Sequence, residues 1–219
     1  MHYEAHAGHI GGNLSCLDIL MTLHHDVMQK DDVFILSKGH AAGALYVTLW
    51  SLGKLTDDDL KTFHQDGTHL PGHPPPCGGS LGHGLSIAAG IALGKKLQGQ
   101  PGRVFCLCSD GEMAEGAIWE AIMFCSAHQL KLCLIVDNNG WQGFRSTHDA
   151  PSLTVGVVRN INGHHYGETM SAFGDPYPLV TIIARTVKGH GVAALEDRLD
   201  SHYLPLTAAQ YEQALKELA

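Results

Sequence analysis

Two apolar runs in this sequence end in the same way. The first, residues 103–108, stops at Ser109-Asp110-Gly111-Glu112 and gives way to helical periodicity. The second, residues 131–136, closes in Asp137-Asn138-Asn139-Gly140. Either ending alone reads as a helix cap or a turn, where Asp, Asn and Gly abound. Their joint occurrence on consecutive runs reads differently. Continuous apolar runs are those of parallel strands covered on both faces. In a right-handed βαβ unit two such strands finish on the same edge of the sheet, which puts Asp110 and Asn139 side by side. Open α/β sheets bind ligands at this edge. A carboxylate and a carboxamide oxygen are hard ligands that suit Mg²⁺ or Ca²⁺. Gly111 opens a helix N-terminus, whose free N–H groups suit phosphate. Mg²⁺ with few protein ligands fills its octahedron with phosphate oxygens and water. The chemistry implied is a metal-bridged diphosphate. A dinucleotide site lacks its main signal, because no Gly-x-Gly-x-x-Gly follows a strand.

The chain also carries 26 glycines and 16 histidines, and many of them are adjacent. Gly8-His9, Gly39-His40, Gly72-His73, Gly82-His83-Gly84, Gly163-His164 and Gly189-His190-Gly191 fall in separate segments. Glycine lets backbone approach a ligand closely. The pattern suggests loops converging on one polar, phosphorylated object. Any one of His9, His40 or His73 alone would read as a surface or structural histidine. His24, His25, His64, His128 and His148 keep that reading.

Elements must position these residues. Helical spacing predicts helices over 14–28, 41–53, 56–65, 85–97, 112–128 and 208–218. Ser15 or Asn13, Thr56 and Thr207 are the expected N-caps. Strands are expected over 32–37, 103–108, 131–137 and 178–187, and residues 67–84 are too rich in Pro and Gly for regular structure. Alternating strands and helices predict a three-layer α/β/α fold with a mostly parallel sheet, as one domain over residues 1–219. With 44% hydrophobic and 16% charged residues the composition is that of a globular protein. The net charge of −8, without a block of like charges, argues against nucleic acid or an anionic membrane as partner. No apolar run approaches the ~20 residues of a membrane span, and no signal peptide is expected. The six cysteines do not have zinc spacing and read as reduced thiols of a cytoplasmic protein.

The stretches "GHIGG", "DDVFILSKGHAAGALYVTL", "LPGHP", "GGSLGHGLSIAAGIALGKKL", "DGEMAEG", "IVDNNGWQ" and "TVKGHGV" together resemble the N-terminal, thiamine diphosphate-binding domain of transketolases, or the small subunit of a split transketolase. The resemblance runs along nearly the whole chain. It implies transfer of a two-carbon ketol unit from a ketose-type donor to an aldehyde-type acceptor. It also implies Mg²⁺ held by Asp110, Asn139 and the Trp141 carbonyl, and a diphosphate contacted by Gly111, His40 and His202. Residues Ser80 to Gly84 would form the loop near the cofactor rings, with Ser80, Leu81 and Gly82 in contact and Glu112 and His190 as further contacts. His9 and His73, with His202, would serve the proton transfers, and Glu115 would be an acid at the subunit interface linked to catalysis.

The family's activating glutamate lies in a pyrimidine-binding domain that this sequence does not contain. The resemblance therefore implies a partner chain carrying that domain, in an assembly of two copies of each. Three departures stand out. Ile10 replaces a common Pro, Ser109 replaces a Gly, and residues 143–156 are shorter than the family's segment. The third points to a specialised transfer rather than a pentose-phosphate enzyme. Competing readings are a subunit of another acyl- or ketol-transferring thiamin enzyme, a non-catalytic scaffold or regulatory subunit, and an unrelated Mg²⁺-phosphate binder.

Overall fold

The sheet grows outward from the βαβ unit that the two apolar runs define. In the computed structural model, which describes residues 1–147, 156–175 and 178–219, β1 is Val33–Leu36, β2 Val104–Ser109, β3 Leu132–Asn138, β4 Val157–Asn162 and β5 Leu179–Arg185. Their order is β1-β2-β3-β5-β4, and every pair is parallel. In the β2–β3 register Ser109 lies opposite Asp137. Asp110 and Asn138 therefore leave the sheet together.

Alternate residues of each strand serve opposite faces. Cys106 and Cys108 of β2 and Leu134 and Val136 of β3 pack with Leu85, Ala88, Ile118 and Ile122. These last four belong to α4, Gly84–Leu97, and α5, Gly116–Ala127. Phe105 and Leu107 face the other way, toward Cys16, Leu20, Ala44 and Phe173. That layer holds α1 (Ile10–Thr22), α2 (Ala42–Ser51) and α6 (Tyr166–Phe173). The result is three layers, α/β/α. The short α3 (Asp57–Lys61) and α7 (Asp200–Tyr203) and the terminal α8 (Ala208–Leu218) complete the α-helices of the described residues, and a π-helical turn, Leu23–Val27, continues α1. Thr56 and Thr207 each close a capping box, as their positions predict. All six cysteines are free and buried. Among the described residues no helix is long and apolar enough to cross a membrane.

Four elements differ from expectation. α1 begins at Ile10, so Asn13 and Ser15 are buried inside it and do not cap it. Its N-cap is His9, in the left-handed region at φ 63°. The helix expected over 112–128 is divided into a 3₁₀ turn, Gly111–Ala114, and α5. Strand β4 and helix α6 were not expected. β4 is an edge strand with Ile161 its one buried residue, so it has no continuous apolar run to betray it. The segment 143–156 falls mostly on residues 148–155, outside the described residues, as does His148.

Glycine has different uses at two positions. A Cβ at Gly39 would overlap the Gly78 carbonyl oxygen, which holds the proline-rich loop against the start of α2. A Cβ at Gly90, within α4, would meet nothing within 4 Å. Opposite outcomes are expected in urea unfolding. Gly39→Ala should lose about 1–3 kcal/mol to overpacking, whereas Gly90→Ala should gain up to about 1 kcal/mol from helix propensity. Equal effects at the two positions would contradict this packing.

Candidate cofactor and metal site at the carboxyl edge of the sheet

A buried carboxylate anchors this edge. Asp137, fully buried at the end of β3, accepts hydrogen bonds from Ser15, Lys38 and Thr186, the contact with Lys38 being an ion pair. The ammonium of Lys38 also donates to the Gly12 carbonyl at 3.0 Å. Burial opposes its charge and the Asp137 carboxylate more than restores it, so the Lys38 pKa is raised. Ser15 gives its proton to Asp137 at 2.6 Å and accepts from Asn139 Nδ2 at 3.2 Å. That assigns the Asn139 amide: Nδ2 points to Ser15, leaving Oδ1 as the outward oxygen, where it accepts from the Trp141 N–H at 3.0 Å.

Asp110 is held with equal care. Its Oδ2 accepts from Gly140 N at 2.8 Å and Thr147 Oγ1 at 2.5 Å, and its Oδ1 from Gly111 N at 3.0 Å. Burial, with Asp137 adding repulsion, raises its pKa to about 6 despite those hydrogen bonds. A carboxylate or carboxamide oxygen has two lone pairs. Asp110 Oδ1 and Asn139 Oδ1 each have one engaged and one left over. Two hard oxygens with a spare lone pair each fit Mg²⁺.

A cavity of about 230 Å³ opens here, lined by Gly111, Asn139, Trp141, His9, His40, His202, Leu81 and Glu115, among others. Two lysines that sequence reasoning passed over, Lys38 and Lys188, also line it. Lys188 is buried, and burial draws its pKa down to about 8. Its Nζ lies 3.4 Å from His202 Nδ1 and 5.2 Å from the centre of the Trp141 ring. A buried ammonium whose close neighbours are neutral rings fits a phosphate oxygen. The signal was present in "TVKGHGV", but the histidine drew attention instead.

The histidines gather at the mouth. Ring centres lie 4.5 Å apart for His9 and His40, 4.7 Å for His40 and His73, and 5.3 Å for His9 and His202. Asn13 keeps the first pair together by donating to the carbonyls of His9, at 2.8 Å, and His40, at 3.0 Å. The left-handed backbone of His9 is strained, of order 1–3 kcal/mol, and its N–H is fixed to the His202 carbonyl at 2.9 Å. Burial, and then the neighbouring histidines, lowers the His9 pKa to about 3. Burial lowers His40 and His202 to about 4 and shifts His73 downward. All four rings are neutral near pH 7.

Residues 2–142 match the family described as transketolase, thiamine diphosphate binding domain. The chain is 34% identical to one of the subunits of the apulose-4-phosphate transketolase of Phocaeicola vulgatus, covering 99% of this chain and 88% of that protein. It is 33% identical to the 6-deoxy-6-sulfo-D-fructose transketolase subunit SqwG of a Clostridium species, covering 96% and 88%. The chain belongs to the transketolase family. The crystal structure of Campylobacter jejuni transketolase superposes with a TM-score of 0.84 at 29% identity, over 98% of this chain and 39% of that one. The chain thus spans a little over a third of that transketolase.

Not every residue implied by the transketolase resemblance lines the cavity: His73 does not, and Asp110 is buried between the lining residues Ser109 and Gly111. Glu112 is fully buried and engaged by Ser37 Oγ, Gly82 N at 2.7 Å and Ser109 N at 3.3 Å. It fastens the 80–84 loop to the Asp110 turn and does not line the cavity. Gly82 is consumed by that contact, and Ser80 is exposed beside it. His190 stands away from the cavity, stacked on His164 at 3.5 Å, with Asp18 3.9 Å away.

These histidines make stability depend on pH. In the folded chain His9, His40 and His202 take up protons only below about 4, and in the unfolded chain near 6.5. Between those values unfolding takes up protons, so acid favours it. His2 and His24, which burial also lowers to about 4, act in the same sense, and Asp110, raised from 3.8 to about 6, opposes them as one group against five. The urea midpoint should fall as pH drops from about 6.5 to about 4, and His9→Asn with His40→Asn should flatten that fall. A native midpoint that rises with acid would contradict the neutral cluster.

Proposed function

We propose that this chain is the N-terminal subunit of a two-chain, transketolase-like transferase that moves a two-carbon ketol unit from a ketose-type donor to an aldehyde-type acceptor. The observation that carries the reading is the pair of oxygens, Asp110 Oδ1 and Asn139 Oδ1, each with a lone pair to spare beside Gly111 and Lys188. They would hold Mg²⁺ together with the Trp141 carbonyl. Lys188, His40 and His202 would bind the diphosphate, with the Gly111 backbone lining its side of the cavity, and Leu81 would pack by the rings. Thiamine diphosphate, when bound, supplies the electron sink that lets a carbon–carbon bond next to a carbonyl break.

The remaining work falls to the chain's own residues. Lys188 donates to His202 Nδ1, which leaves the proton of the neutral ring on Nε2. His202 is therefore a hydrogen-bond donor through Nε2. The neutral rings of His9 and His73 are free to take a proton from a substrate hydroxyl and return it to a substrate oxygen.

Transfer would require a partner chain that carries the pyrimidine-binding domain, with residues 1–219 as one cofactor-binding domain. Relatives named as subunits, 88% of whose length this chain matches, support this. So does an exposed apolar stretch on α5, with Met123 65% and Phe124 40% accessible. Glu115, exposed at the start of that helix, would lie at the interface. Two copies of each chain in the cytoplasm is the assembly proposed. The relatives' names favour a specialised sugar substrate.

Calorimetric titration with thiamine diphosphate and Mg²⁺, for the chain alone and with its partner, tests the reading. Binding should need Mg²⁺ and the partner, and Asp110→Ala should weaken it by at least about 10-fold. No binding in either setting would remove the catalytic reading and leave a scaffold.

A further inference from the structure

One further residue, Tyr203, lines the cavity beside His9 and His202. Tyr203, the last residue of α7, lies where the cavity meets solvent, 49% accessible. A Cβ at Gly8 would overlap its carbonyl oxygen, so its backbone is seated against the segment that carries His9. A Cβ at Gly143 would overlap its hydroxyl, so the far end of the side chain is seated against the turn after Trp141 and Gln142. Trp141, Gln142 and His9 all line the cavity. Tyr203 thus extends the full length of its side chain from one part of the lining to another, and a glycine receives each end.

The ring between those ends is braced. His202 lies 4.6 Å and His9 5.3 Å from it, centre to centre. Phe144 packs on it at 5.7 Å. Phe144 is 87% exposed, so its ring adds bulk at the entrance and little to the core. Two close-fitting glycines and three rings around one half-exposed tyrosine make a fixed obstacle at the mouth.

We propose that Tyr203, backed by Phe144, is a specificity-determining bar across the mouth of the cofactor cavity, which admits short-chain aldehyde acceptors and obstructs longer ones. This rests on the transfer reading above. The reacting aldehyde carbon must come within reach of His9, and the carbons beyond it must run outward past the Tyr203 ring, 5.3 Å from His9 centre to centre.

The test uses the complex of this chain with its partner, thiamine diphosphate and Mg²⁺. A single short donor, hydroxypyruvate, is paired with either glycolaldehyde or D-ribose. The bond to the hydroxypyruvate carboxylate breaks and releases CO₂, a carbon–carbon bond forms to the aldehyde carbon, and the aldehyde oxygen takes up a proton. The quantity read is kcat/KM for ribose divided by that for glycolaldehyde, and cofactor affinity is measured by calorimetry alongside. Tyr203→Gly should raise the ratio about tenfold or more, the scale of steric discrimination in a pocket, chiefly through KM for ribose. Cofactor affinity should stay within about twofold of native, a change too small to matter against that discrimination. Tyr203→Phe should keep the native ratio, because the bar remains. An unchanged ratio in Tyr203→Gly, or an equal loss for both acceptors, would overturn the proposal. A fall in cofactor affinity would overturn it as well, by making Tyr203 part of the cofactor site. A native complex that binds cofactor but transfers to neither acceptor would instead remove the functional reading on which the bar rests.

Discussion

The site depends on one buried carboxylate. Asp137, near the end of β3, is closed off from the surface, so its charge must be answered by neighbouring protein groups. The groups that answer come from three separate places: Ser15 in α1, Lys38 in the turn after β1, and Thr186 after β5. Satisfying that charge fixes those segments around the edge of the sheet. Ser15 then passes the constraint outward, because a hydroxyl that donates to Asp137 can only accept from Asn139. The direction of the outward oxygen of Asn139 follows from a charge two residues earlier in the chain.

The strand register does the rest. Because Ser109 pairs with Asp137, the turn of Asp110 and the turn of Asn139 leave the sheet as neighbours. Gly140 N–H joins them directly by donating to Asp110. Above this rigid floor sits a softer layer: a strained His9, three further neutral histidines and a lysine with rings for neighbours. Local strain and a lysine poor in anionic partners are features that a folded chain keeps at functional sites. Here they gather at a cavity lined by Asn139 and by Ser109 and Gly111, the two neighbours of the buried Asp110. The stability of the core tolerates this, since the apolar clusters on both faces of the sheet are formed without any of these groups.

The legible parts of the sequence were those with a local or periodic cause. β2, β3 and β5 are continuous apolar runs, and Thr56 and Thr207 precede acidic or amide residues at capping-box spacing. Asp110 and Asn139 stood out because two strand ends repeated one pattern. What escaped has a non-local cause. α1 starts at a histidine held in a left-handed conformation by the backbone of His202, far along the chain, so no side-chain cap announces it. Lys38 and Asp137 are remote in sequence, and nothing in either neighbourhood names the other. β4 takes its order from pairing with β5, its outer face being polar. Glu112 and His190 sit in motifs that looked like cofactor contacts, yet one was spent on fastening a loop and the other on a stacked pair with His164.

Among the described residues, three groups at this edge have the chemistry to hold a divalent metal: the oxygens of Asp110 and Asn139, the trio His9, His40 and His73, and the trio Asp18, His164 and His190, the candidate ligand atoms of each trio lying within 4.8 Å of one another. The most direct measurement is the anomalous scattering of Mn²⁺ in crystals of the partner complex grown with thiamine diphosphate. The account predicts a single peak at about 2.1 Å from Asp110 Oδ1 and Asn139 Oδ1, the octahedral oxygen distance of a small hard cation. A peak among the three histidines, with none at the two oxygens, would contradict it.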